Sequence, residues 1–435
     1  MSWIRKHPLL AVAALAFAMR AAVAVVTEFA PIFPAYYYTD ARLVNEETST
    51  DLEALHAGRP IALTGPLSRR LHVLMTLGVE RVFGPRTLPV KLLNAALGAA
   101  GIAALVAAFE LVFSGAAALA SGAALAVWPS HAFYTSQNLK ESPTHALAFV
   151  GLLGVLALGL RPPASAARRA ALAAAAAAGL IGAGCFRSYV LLSLAVALCA
   201  AFAGAAALRK PRADALAALA AAAAAAALFS PFSAAAYSAL QPPAERIAVE
   251  ADSNAQRLLP TLVPETIADE PAGTAVYRPT SPEGLSVFRR VRQASDRLWA
   301  ENNAGREIGT QIFPDAEFHS WLDVFAYLPK GAFYVLFMPL PGLYPTGGKI
   351  GRIAASAENL LLLAIACFAV AGFVRGPKTA GRAALILYFA AMTAGAALLE
   401  FDLGSAGRHK LLYLPMLFPF AAEEILRLLR REEPA

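Results

Sequence analysis

The sequence predicts an all-α, polytopic transmembrane helical bundle of about 10–11 spans, with amphipathic helices on its outer face. Three observations lead there. The 435 residues are 58% hydrophobic and only 15% charged, whereas an ordinary soluble chain is about a quarter charged. Mean hydropathy is +0.55. The apolar residues also fall into serial runs of about 20, the length a helix needs to cross roughly 30 Å of hydrocarbon. The net charge of +7 lies mostly in short clusters beside those runs, with no basic stripe interleaved with aromatics. It therefore sets topology and excludes a nucleic-acid partner.

The first span is Pro8–Val26. Its basic start, Arg5–Lys6, would also suit a signal peptide, but the apolar run outlasts the core of one and the whole chain is polytopic, which favours a retained helix. A polar loop, 28–87, contains YYYTD (Tyr36–Asp40), an acidic helical stretch to Leu55 and a second amphipathic helix over Leu67–Phe83. Further spans follow at Pro89–Phe113, Ala116–Phe133, Leu139–Leu160, Ala170–Gly184, Tyr189–Leu208 and Ala213–Phe232. A second polar region, rich in Pro, Arg and Glu, runs to Leu322 and reads as a partly helical cap. The last spans are Ile353–Val374, Ala383–Leu399 and Leu411–Leu429.

Between them, Ala332–Tyr344 is apolar but carries Pro339 and Pro341 and is flanked by Pro329 and Pro345. Prolines break a helix, and a span here would reverse the sidedness of Arg375 to Arg382. The segment reads as an interfacial or re-entrant hairpin, with an eleventh span as the alternative. The chain thus divides into a membrane module over 1–236, an extracytoplasmic loop region over 237–322 and a second membrane module over 323–435. The ten-span threading puts the clusters at Arg5–Lys6, Arg161 to Arg169, Arg209 to Arg212, Arg375 to Arg382 and Arg427 to Arg431 all inside. The expected location is the inner (plasma) membrane, with the working face extracytoplasmic.

The same threading brings Asp40, Lys140, Glu141, Arg187, Arg408, His409 and Lys410 to the outer side. Charge at the bilayer boundary is costly, so a one-sided set reads as a polar reaction face. Asp40 suits a helix N-cap, and equally a general base acting on a hydroxyl. Glu46 and Glu47 compete for that role, although they also suit a solvated acidic face. Lys140–Glu141 sits in a segment dense in polar groups, WPSHAFYTSQNLKESPTH, and offers a lysine for phosphate oriented by its acid; a self-contained salt bridge is the plainer reading. Arg187 and Arg408–His409–Lys410 stand on the side where the positive-inside bias disfavours them. Lipid headgroups would occupy them in the simplest case; bidentate phosphate capture is the functional one.

The three cysteines lie inside apolar runs without metal spacing. No acidic pair has ligand spacing either, so no cofactor is indicated and a divalent metal is left open. Walker A, H-E-x-x-H and G-x-S-x-G motifs are absent. Charges deep within spans, which an ion-coupled carrier would carry, are also lacking on this reading, Arg20 and Glu110 being placed toward span ends.

The stretch Leu77–Phe149 resembles the GT-C-type membrane glycosyltransferases, in particular the bacterial branch related to dolichyl-phosphate-mannose protein mannosyltransferases (glycosyltransferase family 39-like). The likeness lies in Phe83–Gly84 before a span, Lys91 to Asn94 at its start, the Phe113–Gly115 turn, Trp128–Pro129 and Lys140–Glu141. Arg20 matches a basic residue common in the family's first span. The resemblance implies a polyprenyl-phosphate-linked sugar as donor and Asp40 as base. The family's acidic pair stands here as Asp40–Ala41, so Glu46 or Glu47 remain alternatives.

The expected activity is transfer of a sugar from a polyprenyl-phosphate carrier, bound beside membrane lipid, to an extracytoplasmic glycan, lipid or protein acceptor. Lys140, Arg187, Arg408 and Lys410 would hold the carrier phosphate, with Glu141 and His409 beside them. A polysaccharide polymerase or ligase, or a lipid-linked sugar transporter or flippase, are the rival readings.

Overall fold

A computed structural model describes residues 6–30, 38–61, 63, 67–208, 281–290, 293, 310–344, 350–400 and 402–431. These residues are predominantly helical, and among them the only strand-like pairing is an isolated bridge between Gln311 and Asp402. The helices are α1 (Pro8–Phe29), α2 (Thr39–His56), α3 (Leu67–Phe83), α4 (Thr87–Glu110), α5 (Gly115–Ala126), α6 (Pro129–Tyr134) and α7 (Glu141–Leu160). They continue with α8 (Ala166–Phe186), α9 (Ser188–Leu208), α10 (Trp321–Phe337), α11 (Ile350–Arg375), α12 (Ala380–Leu399), α13 (Leu403–His409) and α14 (Phe418–Arg431). The expected span Ala213–Phe232, most of the region 237–322, and Tyr36 and Tyr37 lie outside the described residues.

Local chemistry fixes many of the helix starts. Pro8 occupies the first position of α1, where its missing N–H costs nothing. Ser114 and Thr379 cap α5 and α12 through their hydroxyls, and Ser320 with Asp323 forms a capping box on α10. The two helices expected in the first polar loop are present as α2 and α3.

Among the described residues, six helices, α1, α4, α7, α8, α11 and α12, are long and apolar enough to cross a membrane. The chain is a multi-pass membrane protein of all-α class. The expected span Tyr189–Leu208 is present as α9, and two others are interrupted. Ala116–Phe133 breaks after α5, because Trp128 precedes a proline and is held extended at φ −64°, ψ 119°. Leu411–Leu429 opens as two 3-10 turns, Lys410–Leu412 and Leu414–Leu417, before α14 begins. Of the hairpin expected at Ala332–Tyr344, the residues up to Phe337 are instead the last turns of α10, which runs through Pro329, and 338–344 form non-helical turns. A Cβ on Gly331 of α10 would lie 3.1 Å from Ala397 of α12. The helix therefore packs against the last turn of α12.

Residues from both halves of the chain share one core, including Phe109, Phe149, Leu194, Leu362, Tyr388 and Phe420. Aromatic edges join them: Phe113 meets Phe420 at 4.9 Å between centroids, and Trp128 meets Phe418 at 5.1 Å. A close seam lies between α7 and α8. A Cβ on Gly179 would come within 2.6 Å of the Gly151 nitrogen and the Leu147 carbonyl oxygen, and one on Gly154 within 2.5 Å of Ala176 Cβ. The partners' numbers rise on one helix as they fall on the other, so the pair is antiparallel and in main-chain contact. Small residues are how apolar helices approach in lipid, where burying apolar surface supplies no net drive.

Arg20 corrects an expectation. It lies midway along α1, fully buried, and not toward an end. Its Nε donates to Thr135 Oγ1 at 2.8 Å, its Nη1 to the carbonyls of Ala16 and Ala126, and its Nη2 to His131 Nδ1 at 2.7 Å. Every guanidinium nitrogen is engaged by a neutral acceptor. That network makes a mid-helix charge tolerable and ties α1 to both sides of the α5–α6 break.

The α7–α8 seam gives a direct test. Gly179→Ala is expected to destabilise the protein by about 1–3 kcal/mol, since backbone atoms cannot swing aside. Gly395→Ala, at a helical glycine with nothing within 4 Å of its would-be Cβ, is expected to be neutral or stabilising by about 0.5–1 kcal/mol. Thermal unfolding of both variants in detergent micelles measures the contrast.

Candidate functional site

Helix ends decide where charge collects. The C-termini of α1, α8 and α12 and the N-termini of α4 and α7 meet at one end of the bundle. Lys91 and Glu28 pair there at 2.8 Å, and all seven residues Asp40, Lys140, Glu141, Arg187, Arg408, His409 and Lys410 lie at this end.

The segment before α7 is clamped by polar side chains. Thr76 of α3 donates to Asn138 at 3.2 Å, Asn138 donates to Asn45 of α2 at 2.6 Å, and Gln137 donates to Thr27 of α1 at 3.1 Å. Beside them His72 is buried on α3, and burial pushes its imidazole down to about 4, so it is neutral near pH 7. This clamp explains the polar density of the WPSHAFYTSQNLKESPTH segment and delivers Glu141 to a fixed place.

Glu141 is the hub. Its side chain is 1% exposed; Arg187 Nη2 donates to it at 2.5 Å, and Arg408 Nε stands 3.3 Å from the same oxygen. Arg408 Nη1 also bonds Asp40. Arg187 Nη1 donates to Tyr189 and to His409 Nε2, both at 2.8 Å. An arginine only donates, so His409 accepts on Nε2, carries its proton on Nδ1 and gives it to Glu400. A continuous polar chain thus runs Asp40, Arg408, Glu141, Arg187, His409, Glu400.

Burial and the Arg187 charge hold the His409 imidazole below its usual range. Burial raises the Glu400 carboxyl, but His409 and the nearby arginines outweigh it and leave the group below its ordinary value. Burial, helped by Arg187 and Arg408, pulls Lys140 down to about 8. Lys410 also falls to about 8, from burial, although Glu358 opposes the shift. Its ammonium donates to Asn359 Oδ1 at 2.6 Å and to the Leu336 carbonyl at 3.1 Å, leaving one N–H.

A cavity of about 280 Å³ opens against this network. Asp40, Tyr134, Glu358, Asn359, Arg408 and Lys410 line it, together with the backbone of Gly404 and Gly407. Asp40 is part-exposed, and its Oδ1 has no partner among the described residues; nor does Arg408 Nη2. The expected site residues therefore sort into two groups. Asp40, Arg408 and Lys410 face the cavity, whereas Lys140, Glu141, Arg187 and His409 stand behind them. Glu46 pairs with Arg42 at 3.8 Å on the exposed side of α2, Glu47 pairs with Arg69 at 2.6 Å, and neither lines the cavity.

Glu358, Asn359 and Glu400 were not singled out from the sequence. Glu358 accepts from Trp128 Nε1 at 2.7 Å and from Ser130 N and Oγ at 2.9 and 2.5 Å, fixing the start of α6 at the cavity wall. The available signal was a polar Glu–Asn pair interrupting the apolar run of α11. No group of three or more His, Cys, Asp or Glu residues among those described is arranged to hold a metal ion.

No protein-family model matches the chain, and no curated protein matches it in sequence. Among solved structures it is similar to that of ArnT from Cupriavidus metallidurans bound to undecaprenyl phosphate, with a TM-score of 0.38 and 14% identity over 98% of this chain and 78% of that one. A likeness of that size assigns no residue and no reaction.

The Glu141 hub yields a stability prediction. Glu141→Ala leaves Arg187 buried without its carboxylate and is expected to cost about 3–5 kcal/mol. Glu46→Ala, removing an exposed pair, is expected to stay within about 0.5 kcal/mol of wild type. Unfolding midpoints of the two purified variants check the difference.

Proposed function

We propose that this protein is a membrane glycosyltransferase that moves a sugar from a polyprenyl-phosphate carrier to a hydroxyl of a glycan, lipid or protein acceptor on the extracytoplasmic face. The observation that carries the reading is one cavity holding a carboxylate, Asp40, in contact with a cation, Arg408, and facing a second cation, Lys410. The resemblance of Leu77–Phe149 to the GT-C glycosyltransferases supports it, and supplies the donor class.

The roles follow from what each group can do. Asp40 Oδ1 takes the proton of the acceptor hydroxyl as that oxygen attacks the anomeric carbon. The bond from that carbon to the phosphate oxygen breaks, and the sugar leaves its carrier. Arg408 Nη2 and the remaining N–H of Lys410 stabilise the negative charge that develops on the departing polyprenyl phosphate. Lys140 adds positive potential from behind. Glu141, Arg187, His409 and Glu400 are positioning residues: they hold the Arg408 guanidinium between the base and the phosphate.

Release of polyprenyl phosphate from a radiolabelled polyprenyl-phosphate hexose tests the assignment. Asp40→Asn is expected to lower turnover by about 10²–10⁴-fold with little change in KM. Near wild-type turnover in that variant would remove Asp40 as the base. Movement of the labelled lipid across sealed vesicles without a new glycosidic bond would replace the whole reading with transport.

Binding of the carrier phosphate should also depend on pH. Lys140 and Lys410, with values near 8, are charged below that pH and lose their protons as pH rises through it. A charged hydrogen bond contributes about 1.5–3 kcal/mol, so the Kd for polyprenyl phosphate should weaken about tenfold or more between pH 7 and pH 10. Titration at fixed ionic strength measures it, and a flat profile would mean that Lys410 does not face the phosphate.

A further inference from the structure

The opposite end of the bundle carries a second charged cavity, of about 500 Å³, between the C-terminus of α11, the turn into α12 and the side of α14. Arg375, Arg427 and Arg430 line it with Glu423 and Glu424. Glu424 is held by Arg375 and Arg427, and Glu423 accepts from Arg382 Nη2 at 2.6 and 2.5 Å. The acids are thus consumed by arginines that still have donors to spare. Arg430 is exposed, and no ion pair of its own is found among the described residues.

Arg382 supplies the independent observation. Its side chain is 4% exposed, and its Nε and Nη1 find no hydrogen-bond partner. A buried guanidinium normally satisfies its donors, and two orphaned N–H-bearing atoms represent a substantial cost. The group is wedged over Phe113 at 4.6 Å and presses on the cavity wall at Gly376, where a Cβ would lie 1.9 Å from Nη1. Gly376 therefore keeps the wall thin at the point where the unsatisfied donors stand.

We infer that this cavity binds a phosphate group, and that the group belongs to an anionic phospholipid of the cytoplasmic leaflet. The sequence threads this end inside, where anionic headgroups collect and basic pockets between helices capture them. The flanks suit a lipid. Ile425, Leu428 and Leu429 on α14 and Val370 and Val374 on α11 are exposed apolar side chains beside the arginines. A headgroup in the cavity would thus run its acyl chains along a surface already apolar. The site is remote from the Asp40 cavity and independent of the reaction proposed there.

Native mass spectrometry of the full chain in detergent, with phosphatidylglycerol or phosphatidylcholine added, tests the inference. Phosphatidylglycerol is expected to be retained about tenfold more tightly than phosphatidylcholine, and the double variant Arg375→Gln/Arg430→Gln, at two of the more exposed positions, to abolish the preference. Gly376→Ala, which displaces the Arg382 guanidinium, should weaken retention as well, whereas Asp40→Asn should leave it unchanged. Competition by millimolar inorganic phosphate at equal affinity would support the phosphate chemistry but assign it to a free anion. Equal retention of the two lipids, or a preference that survives the double variant, would overturn the site.

Discussion

The buried carboxylate of Glu141 is the interaction on which this end of the molecule depends. Two guanidinium groups, from segments more than 200 residues apart, converge on one of its oxygens. Taking a carboxylate out of water is tolerable only when its charge is answered at short range. Removing either arginine leaves the buried anion with a single cation to answer it. Each partner therefore fixes the others: the start of α7, the α8–α9 junction and the α13 segment form one unit. The cavity inherits its shape from that unit, because Arg408 can reach Asp40 only from where Glu141 holds it.

How much of this was legible in the sequence depends on what apolarity encodes. Runs rich in Ala, Leu, Val and Ile marked α1, α4, α7, α8, α11 and α12, because a bilayer selects for length and hydropathy and little else. The polar, periodic stretches Thr39–His56 and Leu67–Phe83 were equally readable. Helix continuity was not. The composition of Ala116–Phe133 and of Leu411–Leu429 is that of a span, yet a residue locked extended before Pro129 and two 3-10 turns after His409 interrupt them. Local backbone restrictions of this kind barely alter a hydropathy profile.

The charged set shows the same division. Arg187 and Arg408 stood out by violating a topological bias, and Asp40 by its position after the first span. Which cation met which carboxylate could not be read, since the contacts join residues 46 to 368 positions apart. Glu358 escaped because it sits within an apolar run that made α11 look featureless. Arg20 was misplaced for a related reason: with no carboxylate nearby in sequence, nothing signalled that neutral carbonyls, a threonine and a histidine would accept its donors.

The glycine contacts between α7 and α8 have a mechanical consequence. Where two helices touch main chain to main chain, their separation is set by hard atoms and not by deformable side chains. Glu141 opens α7 and Arg187 closes α8, so both ride on this incompressible pair. Arg408 and Lys410 hang instead from a short helix and a 3-10 turn. Lateral pressure from a bilayer of changing thickness or fluidity would be absorbed on that second side first. The wall of the cavity that carries Glu141 and Arg187 acts as the anvil, and the wall that carries Arg408 and Lys410 is the part free to yield.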